Sequence, residues 1–202
     1  MDMNTTIYLA TAEGLLVITS SNGNWRGEVR LNGKQLQCVA ACSPRPSVIY
    51  CGTFGDGIFR SDDGGNTWRS CEGFAQRKVM SLAVANSKSA AVSDVVYART
   101  EPSALFRSDD GGLTWRELPG LLDLPSARDW SFPPRPHTHH VRSILPDPKE
   151  PRRLHVAIEA RALLRSEDGG QTWRDGVPGS PKDTHTLAVH PSAPARLYLQ
   201  NS

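Results

Sequence analysis

Three copies of one nine-residue string constrain this chain more than any other feature of it. Residues 60–68 read Arg-Ser-Asp-Asp-Gly-Gly-Asn-Thr-Trp, residues 107–115 read Arg-Ser-Asp-Asp-Gly-Gly-Leu-Thr-Trp, and residues 165–173 read Arg-Ser-Glu-Asp-Gly-Gly-Gln-Thr-Trp. A worn copy over residues 19–25 has Asn22 for the aspartate and a shorter turn. Trp25, Trp68, Trp115 and Trp173 are therefore 43, 47 and 58 residues apart. A period in the forties matches one four-stranded propeller blade.

The residues before each string repeat the same grammar. Before the third full copy come an apolar run at 141–145, a Pro-rich turn at 146–151, a second run at 154–158 and a third at 162–164. Before the first full copy the runs are Gln37–Ala41, Val48–Cys51 and Gly57–Phe59. Short β-branched and aromatic runs between turn residues, without helical periodicity, predict antiparallel strands.

The string has a local physical logic of its own. Asp63, Asp110 and Asp168 place a short carboxylate where backbone N–H groups of a tight turn can reach it, and Gly65, Gly112 and Gly170 supply conformations that a Cβ resists. Ser61, Ser108 and Ser166, with Thr67, Thr114 and Thr172, offer hydroxyls to the same turn. The rings of Trp68, Trp115 and Trp173 are expected to plug the outer edge of each blade. The alternative, that these aspartates are catalytic, is at odds with their repetition as turn caps.

These motifs resemble the BNR or Asp-box repeats of sialidases, sortilin-type receptors, photosystem assembly-factor propellers and bacterial propellers labelled glycosyl hydrolase or exo-sialidase. The resemblance implies an all-β fold: a β-propeller of four-stranded antiparallel blades with Asp-box turns. About four or five blades would be present: a partial blade at about 7–30, blades at about 36–72, 77–117 and 139–177, a loop over 118–140, and a partial blade at about 184–202. The first blade starts at Ile7 without its inner strand. The strand around Thr186–Val189 could fill that place and close a small ring; the alternative is part of a six- or seven-blade propeller. A sialidase would also need an arginine in a Phe/Tyr-Arg-x-Pro string. The nearest approaches are Tyr97-Ala98-Arg99 and Phe106-Arg107-Ser108, so no sialidase catalytic residue is transferred.

In propellers of this kind the Asp boxes occupy one face, and the opposite face carries the site. Loops entering the inner strand, and those joining the second and third strands, would bring His139 or His140, Arg142, Glu159, Asp183 and His185 together there. Imidazoles and carboxylates at that density suit a polar ligand, a divalent metal or acid/base chemistry, with Glu159, Asp183 and His185 as the catalytic candidates. Adjacent His139 and His140 cannot both point inward from one strand. Trp130 and Phe132 either stack a sugar ring or anchor the loop, and Asp56, Arg99 and Glu101 reach the same face with a weaker claim. No His-Glu-x-x-His spacing occurs, so no metal or cofactor is expected.

Composition limits the partners. The 202 residues carry 23 basic and 21 acidic side chains, a formal charge of +2, whereas nucleic acid or an anionic membrane would call for a larger basic excess. The first residues lack a basic region, and Glu13, Ser20 and Asn22 break the nearby apolar stretches, so neither signal peptide nor membrane span is expected and the chain reads as cytoplasmic. Cys38, Cys42, Cys51 and Cys71 read as free thiols, with a Cys38–Cys51 disulfide across a hairpin as the alternative. The reading favoured is a scaffold that binds a carbohydrate or protein ligand. Its rivals are a sialidase-like glycoside hydrolase and a protein-assembly factor.

Overall fold

The computed structural model describes residues 5–42, 45–85, 94–130, 139–159, 162–176 and 183–201. The described residues form sixteen strands in five antiparallel sheets, each built from strands consecutive in sequence. The first sheet is β1 (Thr6–Ala10), β2 (Leu15–Ser21) and β3 (Asn24–Arg30). The second is β4 (Leu36–Cys42), β5 (Arg45–Thr53), β6 (Ile58–Ser61) and β7 (Arg69–Ser70). The third is β8 (Val79–Ala85), β9 (Val95–Thr100), β10 (Leu105–Ser108) and β11 (Arg116–Glu117). The fourth is β12 (Val141–Pro146), β13 (Leu154–Ile158) and β14 (Ala162–Ser166), with an Arg165–Arg174 bridge where the second and third sheets add a fourth strand. The fifth is β15 (Thr184–His190) and β16 (Ala193–Asn201). The protein is all-β, and these sheets are propeller blades.

Hydrophobic clusters lie between successive blades, because each strand presents alternate side chains to its two neighbours. Leu15 of β2 meets Leu36 and Cys51 of the second blade. Tyr50 and Ile58 meet Val79, Leu82 and Val96. Tyr97 and Leu105 meet Val141, Leu154 and Val156. Ala157 and Leu163 meet Leu187 and Leu197. The first strands β4, β8, β12 and β15 touch one another in series across blades, which makes them the inner strands. Trp68, Trp115 and Trp173 sit in these interfaces, each against the preceding blade, and not as plugs of the outer edge.

The repeated turn is the same object three times. In the second full copy, the Asp110 carboxylate accepts from the backbone N–H groups of Leu113 (3.0 Å) and Thr114 (2.9 Å) and from the Ser108 hydroxyl (2.8 Å). The Ser108 oxygen accepts from Gly112 N–H at 2.8 Å, and Trp115 Nε1 donates to the Gly112 carbonyl at 3.2 Å. Asp63 and Asp168 make the corresponding bonds. These bonds hold all three carboxyls at about 2, outweighing the opposing effect of partial burial on Asp110 and Asp168. The paired glycines have φ between +73° and +94°. These aspartates are fully engaged in turn capping.

Two expectations fail on strand pairing. The strand containing Thr186–Val189 does not complete the first blade: among the described residues, β15 pairs with β16, and β1 pairs with β2 alone. Cys38 and Cys51 do not face each other. The register opposes Cys38 to Gly52 and Cys51 to Val39, so the two thiols point to opposite faces of one sheet, and all four cysteines are free.

Candidate functional site

The ends of the second strands and the starts of the first strands share one edge of every blade, opposite the repeated turns. Arg99 ends β9 beside Thr100, Glu101 follows it, and His140 leads into β12; Arg142 lies in β12, Glu159 follows β13, Asp183 precedes β15, and His185 lies in β15. Each of these first strands contains a register shift near its start, between Val141 and Ser143 in β12 and between Thr184 and Thr186 in β15. Arg142 and His185 are the extra residues of these bulges, and a bulge re-aims the side chain it carries. The same shift occurs between Leu36 and Cys38 in β4 and between Val79 and Ser81 in β8, where the extra residues are Gln37 and Met80.

The polar side chains form one chain of contacts across three blades. His140 Nε2 lies 3.3 Å from Glu101 Oε2, and its Nδ1 lies 3.3 Å from Arg99 Nη2 and 3.6 Å from Glu159 Oε2. Arg142 Nε lies 3.7 Å from Glu159 Oε2, while Arg142 Nη2 lies 3.4 Å from His185 Nδ1. His185 Nε2 in turn lies 3.2 Å from Asp183 Oδ1. A His185 tautomer protonated on Nε2 donates to Asp183 and accepts from Arg142, satisfying both contacts. The chain runs from buried to open: the His140 side chain is 9% exposed, Glu159 13%, Arg142 36% and Asp183 39%.

Arg99 is the innermost cation. It is buried, and among the described residues its Nε has no hydrogen-bond partner. Burial, aided by the nearby Arg142 charge, lowers its pKa to about 10, against the opposing pull of Glu101 and Glu159. Glu101 and Arg99, weak candidates from sequence, thus belong to the centre of the cluster.

The remaining candidates part company with it. His139 turns the other way, its ring 5.9 Å from that of Trp130, and burial lowers its pKa, followed by the charges of His140 and Arg99. Trp130 is 6% exposed and packs with Leu118 and Leu121 in the cluster between the third and fourth blades, so it anchors its segment and does not present a sugar-stacking face. Phe132 lies outside the described residues. Asp56 pairs with Lys34 at 3.2 Å and takes no part in the chain of contacts.

The carboxylates of the cluster bear on glycoside hydrolysis. That reaction requires two carboxyl groups about 5–9.5 Å apart with a sugar or water between them. The His140 ring occupies the space between Glu101 and Glu159, while Arg142 and His185 stand between Glu159 and Asp183. Among the described residues, no three His, Cys, Asp or Glu side chains are placed to hold a metal ion, and no helix is long and apolar enough to cross a membrane. What the site offers is a set of oriented donors and acceptors.

Neither a protein-family model nor a curated protein matches the sequence. Solved structures do match its shape. YCF48 bound to D1 peptide is 18% identical with a TM-score of 0.65, over 98% of this chain and 58% of that one. The GH74 enzyme of Niastella koreensis is 17% identical with a TM-score of 0.66, over 91% of this chain and 30% of that one. The β-propeller domain of Myceliophteria thermophila Cps50 (Swd1) is 10% identical with a TM-score of 0.64, over 100% of this chain and 63% of that one. The chain thus spans less than two thirds of each of these structures, and at such identities what the likeness shows is the β-propeller fold.

Proposed function

We propose that the chain is an Asp-box propeller unit of the BNR kind that binds a polar segment of a protein partner at the Arg99–His185 cluster and performs no hydrolysis. The observation that carries this reading is the continuous chain Glu101–His140–Glu159–Arg142–His185–Asp183, in which every gap between carboxylates is filled by a basic side chain. Such a surface is preorganised for hydrogen bonding, with Arg142 and Asp183 at its rim as donor and acceptor for a ligand. The peptide-bound state of one structural neighbour supports a protein ligand over a carbohydrate. Four free cysteines support a reducing, cytoplasmic setting.

The test sets binding against turnover. An immobilised peptide array is expected to retain the wild-type chain on a subset of polar sequences and to lose it with Arg142→Ala or His185→Ala. Chromogenic glycosides, sialosides and xyloglucan oligosaccharides are expected to survive incubation. Glycoside hydrolysis abolished by Glu159→Gln would overturn the reading in favour of the glycoside hydrolase.

A further inference from the structure

The second and third blades each send an arginine to the repeated turn of the blade that follows. Arg60 Nη1 donates to the Gly111 carbonyl at 2.6 Å, beside the Tyr50 hydroxyl, which donates to the same oxygen at 3.2 Å. Arg60 also lies 5.4 Å from the centroid of the Tyr50 ring, and its Nε donates to Asp62 at 2.9 Å. In the third blade Arg107 Nη1 donates to the Gly169 carbonyl at 2.8 Å, lies 5.6 Å from the centroid of the Tyr97 ring and gives its Nε to Asp109 at 2.8 Å. These arginine side chains are 12% and 13% exposed, so each fills the space between a tyrosine ring and the next turn.

The first blade keeps the tyrosine and lacks the arginine. Tyr8 donates its hydroxyl to the Gly64 carbonyl at 3.1 Å. Its partner on β2, in the place of Arg60 and Arg107, is Val17. Two residues on, Thr19 stands where Asp62 and Asp109 accept the arginine. On β3, Glu28 opposes Val17, whereas Arg69 opposes Arg60 and Arg116 opposes Arg107. What results is a cavity of about 440 Å³ lined by Tyr8, Val17, Thr19, Glu28, Arg30 and the turn at Gly64. A Cβ at Gly169 would stand 1.7 Å from Arg107 Nη1, whereas one at Gly64 would have the Tyr8 hydroxyl, at 3.9 Å, as its nearest neighbour. The same strands and the same turn enclose the filled space between the second and third blades, so the cavity follows from valine at the arginine position.

We propose that this cavity is a binding site for an alkylguanidinium group, whether the side chain of an arginine in another polypeptide or a free guanidinium compound. The group takes the place that Arg60 and Arg107 hold in the next two interfaces, over the Tyr8 ring with one nitrogen donating to the Gly64 carbonyl. The Gly111 carbonyl accepts two donors, and that of Gly64 holds the Tyr8 bond alone among the described residues, which leaves a lone pair for the second. Charge favours the same ligand: Glu28 presents a carboxylate where the other blades carry an arginine, and Asp63 is kept ionised by its turn, its pKa at about 2. Arg30 lines the cavity too, but it is turned to Glu28 and makes no bond to the turn among the described residues. The cavity lies on the edge of the repeated turns, opposite the Arg99–His185 cluster, and is independent of the function proposed there.

The probes are agmatine and the pentapeptide acetyl-Gly-Gly-Arg-Gly-Gly-amide, each titrated into the full 202-residue chain at low ionic strength and followed through the backbone amide signals of Gly64 and Gly65 in heteronuclear NMR spectra. Saturable shifts with a Kd on the order of 1 mM are expected. The tighter of the two probes identifies the source, agmatine a free compound and the peptide an arginine side chain. A citrulline peptide, which keeps the shape without the charge, is expected to bind at least about tenfold more weakly. Val17→Arg, which gives the first blade the residue of the next two, is expected to raise Tm and to abolish binding of either probe. Glu28→Gln, at an exposed position, is expected to weaken binding severalfold and serves where Val17→Arg does not fold. Absence of saturable shifts at Gly64 and Gly65, equal affinity for the arginine and citrulline peptides, or binding unchanged in a folded Val17→Arg chain and in Glu28→Gln would overturn the proposal. Binding that appears only in Arg30→Ala would overturn it too, by assigning the cavity to Arg30 itself.

Discussion

Gly64 and Gly111 open the same turn with nearly the same backbone, φ +74° and +73°, yet alanine should be tolerated very differently at the two. At Gly64 a Cβ would have the Tyr8 hydroxyl as its nearest neighbour, at 3.9 Å, so the substitution costs only the left-handed backbone conformation, about 1–2 kcal/mol, less about 0.4–1 kcal/mol regained by stiffening the unfolded chain. At Gly111 the Cβ would stand 2.3 Å from Arg60 Nη1, and the guanidinium must leave its 2.6 Å bond to the Gly111 carbonyl. Loss of a charged hydrogen bond adds about 1.5–3 kcal/mol. For a domain of this size about 1 kcal/mol moves Tm by roughly 2–4 °C, so Gly64→Ala should lower Tm by about 2–4 °C and Gly111→Ala by on the order of 10 °C. Thermal and urea melts of both variants measure the difference. An Arg60→Ala change should cost much less in the Gly111→Ala background than in the wild type, because the bond it removes is already gone. Equal Tm values for the two glycine variants, or additive effects of Arg60→Ala and Gly111→Ala, would refute a stabilising bond from Arg60 to the Gly111 carbonyl between the second and third blades.

Two further predictions concern acid and thiol chemistry. Asp63, Asp110 and Asp168 are held at about 2, below the unfolded value near 3.9, so the stability they contribute is fully present above about pH 4 and is lost as pH falls through about 2. Replacing all three by asparagine should lower Tm at pH 7 and flatten its fall between pH 4 and 2; melts that stay parallel to wild type across that window would contradict the assignment. Burial raises every cysteine thiol, Cys38 to about 12 and Cys71 to about 11, so a thiol reagent at pH 8 should label the native chain slowly and find four thiols after denaturation. Rapid native labelling, or fewer than four thiols on unfolding under non-reducing conditions, would count against this packing.

The fold was legible because the repeat writes the same instruction several times: a turn whose aspartate, serine and glycines satisfy one another locally needs no tertiary context to be recognised. Strand partners were less legible. Thr186–Val189 has the pattern of an inner strand, and nothing in a pattern says whether its neighbour will be β1 or β16. Nor does alternation reveal that Trp130, on a long Pro-rich connection, is drawn into the apolar interface of the third and fourth blades. Burial there is set by Leu118, Leu121 and Val141, which lie apart in sequence.

The cysteine expectation and the cluster share one explanation, the bulge near the start of each inner strand. Carried on without a bulge from Leu36 opposite Thr53, the register would place Cys38 opposite Cys51; with Gln37 as the extra residue Cys38 falls opposite Gly52, and the two thiols face opposite sides of the sheet. The same insertion occurs at Met80, Arg142 and His185. In the second and third blades the extra residue is uncharged, and in the fourth and fifth it is a basic side chain engaged with Glu159 and Asp183. A structural device common to the repeat has therefore been given basic side chains in the fourth and fifth blades only. That asymmetry separates the candidate site from the scaffold, since packing alone would ask the same residue of every blade. Moving the pair tests it: Arg142→Gln and His185→Met restore the residue types of the second and third blades and should leave the melting curve near wild type while abolishing ligand retention on the peptide array.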